Sequence, residues 1–293
     1  MAAPNGYTAI TDVTFTVDAN NVVTVIKQTT TGNVVVSGTN VTITDDYAPT
    51  KVIFKKTDIT GTTEVENADL TITGTEDGKG AINPINWQSD KDKGGKEIEL
   101  KPGTYTLVEN AAPSGYEAIT TVDFTLDKDG NITVTKQSTT GTVEVVDGVV
   151  LVKDDNEPKK VTFKKTDITG TTEVAGADLE ITGREAGKTT DIKPITWTSD
   201  DKGTGYTVDL RPGNYTLTET AAPNGYAAIT EVDFTVGRDG SISVTDQSTT
   251  GEVEVVNGVV LVKDDAKAIE VLISKTDVLG TDIPGAKMQI TGP

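Results

Sequence analysis

The sequence repeats with a period of about 110 residues, and this repeat constrains the fold more than any single motif. Three sets of residues show the period, namely Lys56, Lys165 and Lys275, Glu109 and Glu219, and Asp154 and Asp264. A period of this length matches one small domain rather than a short solenoid repeat. The chain is therefore expected to fold as similar domains in series.

The period divides the chain into four parts. Residues 51–157 and 159–266 are two complete units, while 1–49 is the C-terminal part of a truncated repeat and 268–293 is the N-terminal part of another. The equivalents of residues 185–219 are present in neither end part. We expect a piece of a longer surface protein; the alternative is a natural short protein that partner chains complete.

Local sequence signals within a unit are almost all of the β type. Short runs rich in Val, Ile, Thr, Tyr and Phe alternate with Gly, Asn, Asp and Pro, and no stretch has a helical period. Asp129-Gly130, Asp147-Gly148 and Asn257-Gly258 are hairpin signals. The first complete unit is predicted to contain strands at 51–57, 68–73, 83–88, 96–100, 103–109, 119–126, 131–136, 142–146 and 149–154. The pattern predicts β-sandwiches, and short joints containing proline favour a semi-rigid rod.

Composition excludes several classes of function. The chain has no Cys and no His, which excludes disulfides, thiol nucleophiles, Ser-His triads and ordinary zinc sites. A net charge of −19 argues against binding to nucleic acid or to anionic membranes. No apolar run is long enough for a membrane span. We expect no cofactor and no metal; Asp127–Asn131 begins like a calcium loop, but its other copy lacks the ligands.

One strand in each repeat carries a lysine on the face that should enter the core. Alternation places Val161, Phe163 and Lys165 on the same side of their strand. Lys56 and Lys275 hold the same position in their repeats. Because an unpaired buried ammonium group is costly, each lysine requires a partner.

Acidic residues break the alternation in the same way on two other strands. Glu109 and Glu219 share the face of a tyrosine and a leucine, and Asp154 and Asp264 share the face of two valines. Asp45 has the equivalent position in the first truncated repeat. Each complete unit therefore directs one lysine, one glutamate and one aspartate inward.

Two alternatives stay open at this stage. One is that these side chains lie at strand ends and extend to solvent. The other is that a bulge turns the neighbouring residues inward instead, which are Lys55, Lys164, Asp155 and Asp265.

The motifs VIFKKTD (52–58), PGTYTLVENAAPSGY (102–116) and VVLVKDD (149–155) resemble those of Cna B-type, or SpaA-like, domains of Gram-positive adhesins and pilins. The middle motif is similar to the pilin E-box, and YTLTETAAPNGY (215–226) is its closer copy. The resemblance covers the whole chain. It implies an all-β fold of tandem immunoglobulin-like or prealbumin-like β-sandwich domains arranged as a rod.

The resemblance further implies an intramolecular isopeptide bond between the lysine of the first strand and an Asn or Asp of the last. By position, the bonds are Lys56 to Asp154 and Lys165 to Asp264, with Glu109 and Glu219 as the catalytic residues. Because this sequence has Asp where many relatives have Asn, water would leave instead of ammonia. The reaction would happen once per domain, so the chain is not expected to be a turnover enzyme.

The residues support this chemistry independently of the family. Desolvation favours a neutral, nucleophilic amine and a protonated, electrophilic carboxyl group. Proximity of the reacting groups is worth about 7–11 kcal/mol, and a neutral glutamic acid can polarise the carbonyl. Asp45 and Lys275 lack partners within their own truncated repeats and are expected to stay unreacted.

Two functional hypotheses follow. The first is a structural stalk, stapled by these bonds, in an extracellular cell-wall-attached surface protein. Its partners would be neighbouring repeats and, at a tip outside this chain, a host or matrix ligand. The alternative is a ligand-binding adhesin module that uses its loops or strand edges, which the near identity of the loops between units disfavours.

Overall fold

A computed structural model describes residues 3–9, 12–29, 32–119, 121–137, 140–228, 231–247 and 251–292. Within these ranges the regular elements are β-strands, which confirms the predicted all-β class. No helix in the described part of the chain could cross a membrane. Residue 120 of the predicted strand 119–126 lies outside the described residues. So do residues 1, 2, 10, 11, 30 and 31 of the first end part and residue 293 of the last.

We call residues 51–157 the first unit and residues 159–266 the second unit. The strands before the first unit are β1 (Tyr7–Thr8), β2 (Val13–Val17), β3 (Val23–Gln28), β4 (Asn33–Ser37), β5 (Asn40–Thr44) and β6 (Asp46–Tyr47). Those of the first unit are β7 (Thr50–Asp58), β8 (Asp69–Glu76), β9 (Gly80–Ala81), β10 (Ile85–Gln88), β11 (Lys96–Leu100), β12 (Gly103–Ala111), β13 (Tyr116–Glu117), β14 (Val122–Leu126), β15 (Ile132–Gln137), β16 (Thr142–Val146) and β17 (Val149–Asn156). Those of the second unit are β18 (Lys159–Asp167), β19 (Asp178–Glu185), β20 (Ile195–Thr198), β21 (Tyr206–Leu210), β22 (Gly213–Ala221), β23 (Val232–Val236), β24 (Ile242–Gln247), β25 (Glu252–Val256) and β26 (Val259–Asp264).

The first unit is a sandwich of two sheets. One sheet has the order β10-β8-β12-β14-β15, and the other has the order β11-β7-β17-β13 with β16 paired to β17. The first and last long strands, β7 and β17, are neighbours and run parallel. The second unit repeats this arrangement with β20-β19-β22-β23-β24 facing β21-β18-β26-β25. Because the two strands are parallel, the start of the first strand and the end of the last strand lie at opposite ends of the sheet.

The core between the sheets is aromatic at its centre. Phe124 lies 5.9 Å from Phe54 and 5.5 Å from Tyr105, measured between ring centroids. Trp87 packs on Phe54, with 5.8 Å between the ring centroids. Burial of such side chains supplies most of the driving force for the sandwich.

The hairpin signals and most predicted strands agree with the structure. Asp147 and Gly148 both have positive φ, 50° and 78°, as a type I′ turn between β16 and β17 requires. The strand predicted to start at residue 119 starts at Val122. The backbone N–H of Ile119 donates to the Glu109 carboxylate, and its carbonyl accepts a hydrogen bond from the Glu109 N–H, while the regular pairing of β12 with β14 ends at Leu107 and Val122.

The end parts are less well packed than the units. Hairpins β2–β3 and β4–β5 form separate two-stranded sheets, and described residues 267–292 are exposed. Phe15 is 50% exposed and Leu272 is 92% exposed.

Candidate functional site

Lys56 and Asp154 meet inside the first unit because β7 and β17 are parallel neighbours. The register pairs Lys56 with Val152, so Asp154 lies two residues further along on the same inward face. The Nζ atom of Lys56 contacts Oδ1 of Asp154 directly. First and last strands thus bring together two residues that are 98 positions apart in sequence (154 − 56 = 98).

Glu109 reaches the same point from the opposite sheet. It lies on β12, beside a bulge between Glu109 and Ala111, and its Oε1 atom is 3.3 Å from Lys56 Nζ. The side chains of Lys56, Glu109 and Asp154 are 1%, 1% and 0% exposed. The three ionisable groups are therefore enclosed in the core, without the solvent access that the strand-end alternative requires.

A backbone group orients the glutamate. Glu109 Oε2 accepts a hydrogen bond of 2.8 Å from the N–H of Ile119, which leaves Oε1 directed at the lysine. Sequence reasoning missed this contact because every residue other than proline carries the same backbone donor.

The second unit repeats the geometry. Lys165 Nζ contacts Asp264 Oδ1 and lies 3.5 Å from Glu219 Oε1. The side chains of Lys165, Glu219 and Asp264 are 1%, 1% and 0% exposed. The same enclosed cluster is thus built twice from separate stretches of sequence.

Burial changes the protonation of the aspartate. Desolvation, reinforced by the nearby Glu109 and opposed by Lys56, raises the pKa of Asp154 to about 8. The folded first unit therefore keeps the proton on Asp154 at neutral pH, and a protonated carboxyl group can lose hydroxyl as water.

The neighbouring residues lie outside this cluster. Lys55 binds Glu64 at 2.9 Å, and Lys164 binds Glu173 at 2.8 Å. Asp155 binds Lys188 of the second unit at 2.7 Å. Asp265 is exposed. The structure therefore differs from the alternative in which a bulge turns these four residues inward.

The positions predicted to stay unreacted lie in the end parts. Asp45 is half-buried and directly follows β5, whereas Lys275 is exposed. The structure brings neither of them into the enclosed clusters of the two units.

The described residues contain no group of three or more His, Cys, Asp or Glu side chains arranged to hold a metal. In the loop considered for calcium, the carboxylate of Asp127 accepts hydrogen bonds from the backbone N–H groups of Asp129 and Asn131. The Asp127 carboxylate therefore closes a hydrogen-bonded turn within this loop.

Comparison with known proteins gives the family. The profile of the family described as SpaA, prealbumin-like fold domain, matches residues 50–140 and 159–250. No curated protein matches the chain. Among solved structures, it resembles the pilus adhesin SpaC from Lactobacillus rhamnosus GG in its open conformation (18% identity, TM-score 0.34, covering 92% of this chain and 35% of that chain). It also resembles a streptococcal ancillary pilin (22% identity, TM-score 0.29, covering 77% and 65%).

A further similar structure is the pilus adhesin RrgA from Streptococcus pneumoniae (12% identity, TM-score 0.32, covering 70% of this chain and 30% of that chain). The chain spans 35% of the length of the SpaC adhesin. The matched family residues cover more than half of the chain and fall once in each unit. The chain therefore belongs to the SpaA prealbumin-like fold domain family, in two tandem copies.

Proposed function

We propose that each unit staples itself with an isopeptide bond, joining Lys56 to Asp154 in the first unit and Lys165 to Asp264 in the second. The observation that carries this proposal is the direct contact of each lysine amine with its aspartate inside a core that excludes water. Fixed contact between amine and carboxyl replaces a bimolecular encounter, an advantage worth about 7–11 kcal/mol.

The chemistry balances without any added reagent. The neutral amine of Lys56 attacks Cγ of the protonated Asp154, a C–N bond forms, and the C–OH bond breaks. Glu109 takes a proton from the amine and delivers one to the leaving hydroxyl, so that one water is released. The product amide cannot ionise, so the core no longer holds an amine and a carboxyl group that would be costly to charge.

The isopeptide bond makes each unit suited to carry mechanical tension. It joins the first and last long strands of a unit, so tension applied to the ends of the unit passes through the amide. Tandem units of this kind form the shaft of a surface protein of the adhesin or pilin type, outside a Gram-positive cell. In this proposal 51–157 and 159–266 are whole domains, and 1–49 and 268–293 are parts of further repeats.

Intact mass spectrometry tests the staple. We expect the folded chain to weigh two water molecules less than its sequence mass. Glu109→Ala and Glu219→Ala should each lack only one water, because each removes the proton carrier of one unit. A wild-type mass equal to the sequence mass would reject the proposal, and an unchanged loss of two waters in either variant would reject the role of that glutamate.

The reaction in the first unit should depend on pH. The raised pKa of Asp154, about 8 against an ordinary value of 3.8, means that the protonated acid persists up to about pH 8 and is lost above it. Unreacted chain from denatured inclusion bodies, refolded in buffers on either side of this pH, should therefore form the Lys56–Asp154 bond more slowly on the alkaline side. Peptide mapping of the Glu219→Ala variant measures formation of the Lys56–Asp154 bond alone. A rate of bond formation that keeps rising above pH 8 would contradict a protonated Asp154 as the reacting form.

A further inference from the structure

The junction between the two units contains a second set of charged residues that the staple does not use. Three basic residues of the second unit, Lys188, Arg211 and Arg238, contact the C-terminal end of the first unit. The linker between β17 and β18 is only Glu157 and Pro158. Such a linker limits the distance between units, whereas side-chain contacts are needed to fix the angle.

Arg238 occupies a pocket that is formed by residues of the first unit. Its guanidinium donates to Asp58 Oδ2 at 2.9 Å and to Asn156 Oδ1 at 3.0 Å. It also donates to the hydroxyl of Tyr116 and lies 5.0 Å from the centre of that ring. A planar cation held by a carboxylate, an amide and an aromatic ring is a geometry that arginine fits better than lysine.

The pocket keeps its carboxylate charged. Burial raises the pKa of Asp58, but hydrogen bonds from Thr60 and Arg238 outweigh this effect and lower it overall. The side chain of Asp58 is 5% exposed, so its charge faces the arginine with little screening by water.

Two further contacts lie beside the pocket. Lys188 Nζ is 2.7 Å from Asp155 Oδ2, and Arg211 Nη2 is 2.7 Å from Glu117 Oε2. The backbone carbonyl of Arg211 is itself held by the hydroxyl of Tyr215 at 2.7 Å. The backbone of Arg211 is thus held in place by the second unit.

Comparison of the two units shows that the junction causes the burial. Asp155 and Asn156 are 7% and 1% exposed, whereas the equivalent Asp265 and Ala266 of the second unit are exposed. The contact surface also recurs with the sequence period. At the preceding junction, Asp46 lies 3.5 Å from Lys79 and 2.7 Å from Lys101, and Asp46 and Lys79 are the equivalents of Asp155 and Lys188.

We propose that the first unit ends in an acidic docking surface that accepts the basic end of the second unit, and that this clamp fixes the angle between the two units. On the first unit the surface consists of Asp58, Tyr116, Glu117, Asp155 and Asn156. The clamp also lies next to the staple, because Asp58 follows Lys56 by two residues and Asp155 follows Asp154 directly. The clamp therefore resists bending at the same end of the first unit as the bond between Lys56 and Asp154.

Spin labels on the full chain test the clamp. Thr133→Cys and Ser243→Cys place labels at equivalent exposed positions on β15 and β24, and the chain has no other cysteine. We expect pulsed electron–electron distance measurements to give one narrow distribution in this background. Adding Lys188→Glu, Arg211→Glu and Arg238→Glu should broaden it to several-fold the original width, because attraction becomes repulsion at all three contacts.

Matched variants separate the clamp from nonspecific effects. Lys160→Glu changes an exposed lysine paired with Asp209 and should leave the distribution narrow. Lys188→Glu alone should broaden it, and combining it with Asp155→Lys should narrow it again. An unchanged width in the triple variant, equal broadening by Lys160→Glu, or no rescue by the charge swap would each overturn the proposal. Intact mass of the same samples reports the staples separately, so failure of the clamp and failure of the staple are distinguishable.

Discussion

Pulled from its two ends, the stapled pair of units should give no unfolding step of the length of a domain. The chain between Lys56 and Asp154 comprises 98 residues (154 − 56 = 98). At about 3.4 Å per residue it would extend by about 330 Å if released. With the amide in place, tension passes from β7 to β17 and bypasses this length. Single-molecule force spectroscopy with handles on Pro49→Cys and Ala268→Cys measures it directly.

Single variants should restore the missing steps one at a time. Glu109→Ala should show one step of about 330 Å, less the end-to-end distance of the folded unit, and Glu109→Ala with Glu219→Ala should show two. Lys164→Ala is the matched control, because Lys164 adjoins Lys165 but binds Glu173 outside the cluster. Steps of this size in a wild-type chain whose mass lacks two waters would show that the load does not travel through the amide.

Sequence reasoning found the members of the cluster because a buried charge violates the alternation of a strand. Lys56 shares the face of Val52 and Phe54, and all three are buried in the structure. The period supplied an independent check, since the same violation recurs at Lys165. Strand order was not available from alternation, so the adjacency of β7 and β17 that makes the contact came from the family resemblance and from the structure.

The clamp was missed although its signal was present. Lys101 and Arg211 are 110 residues apart (211 − 101 = 110), as are Lys128 and Arg238 (238 − 128 = 110), so basic residues recur with the period too. They lie in loops or next to strand ends, where a charged side chain does not break the alternation of a strand and is expected to be exposed to solvent. The geometry of the junctions gives Lys101, Arg211 and Arg238 acidic partners, whereas Lys128 pairs with Asp129 in its own turn.

The covalent bond, rather than the contact between lysine and aspartate that precedes it, should account for the stability of the units. Closing a loop of 98 residues (154 − 56 = 98) is worth about 4.7 kcal/mol by the chain-entropy relation developed for disulfides. Glu109→Gln keeps an acceptor for the Ile119 N–H but cannot carry the proton. We expect it to lower the free energy of unfolding of the first unit by about that amount, measured from denaturant midpoints. Glu144→Gln, which removes the partially exposed contact to Lys153, should cost at most about 1 kcal/mol.

A second variant separates the effect of the bond on stability from the effect of the buried Lys56 and Asp154 side chains. In Glu109→Gln the unreacted Lys56 and Asp154 stay in the core as a buried polar pair, and a well-packed apolar replacement of a buried ionisable pair is often more stable by about 1–4 kcal/mol. Lys56→Met combined with Asp154→Leu should therefore unfold at the same or a higher denaturant concentration than Glu109→Gln, yet below wild type. If Glu109→Gln retained wild-type stability while its mass showed the first staple missing, the unreacted contact between Lys56 and Asp154 would be the stabilising element. The amide would then be needed only against mechanical load.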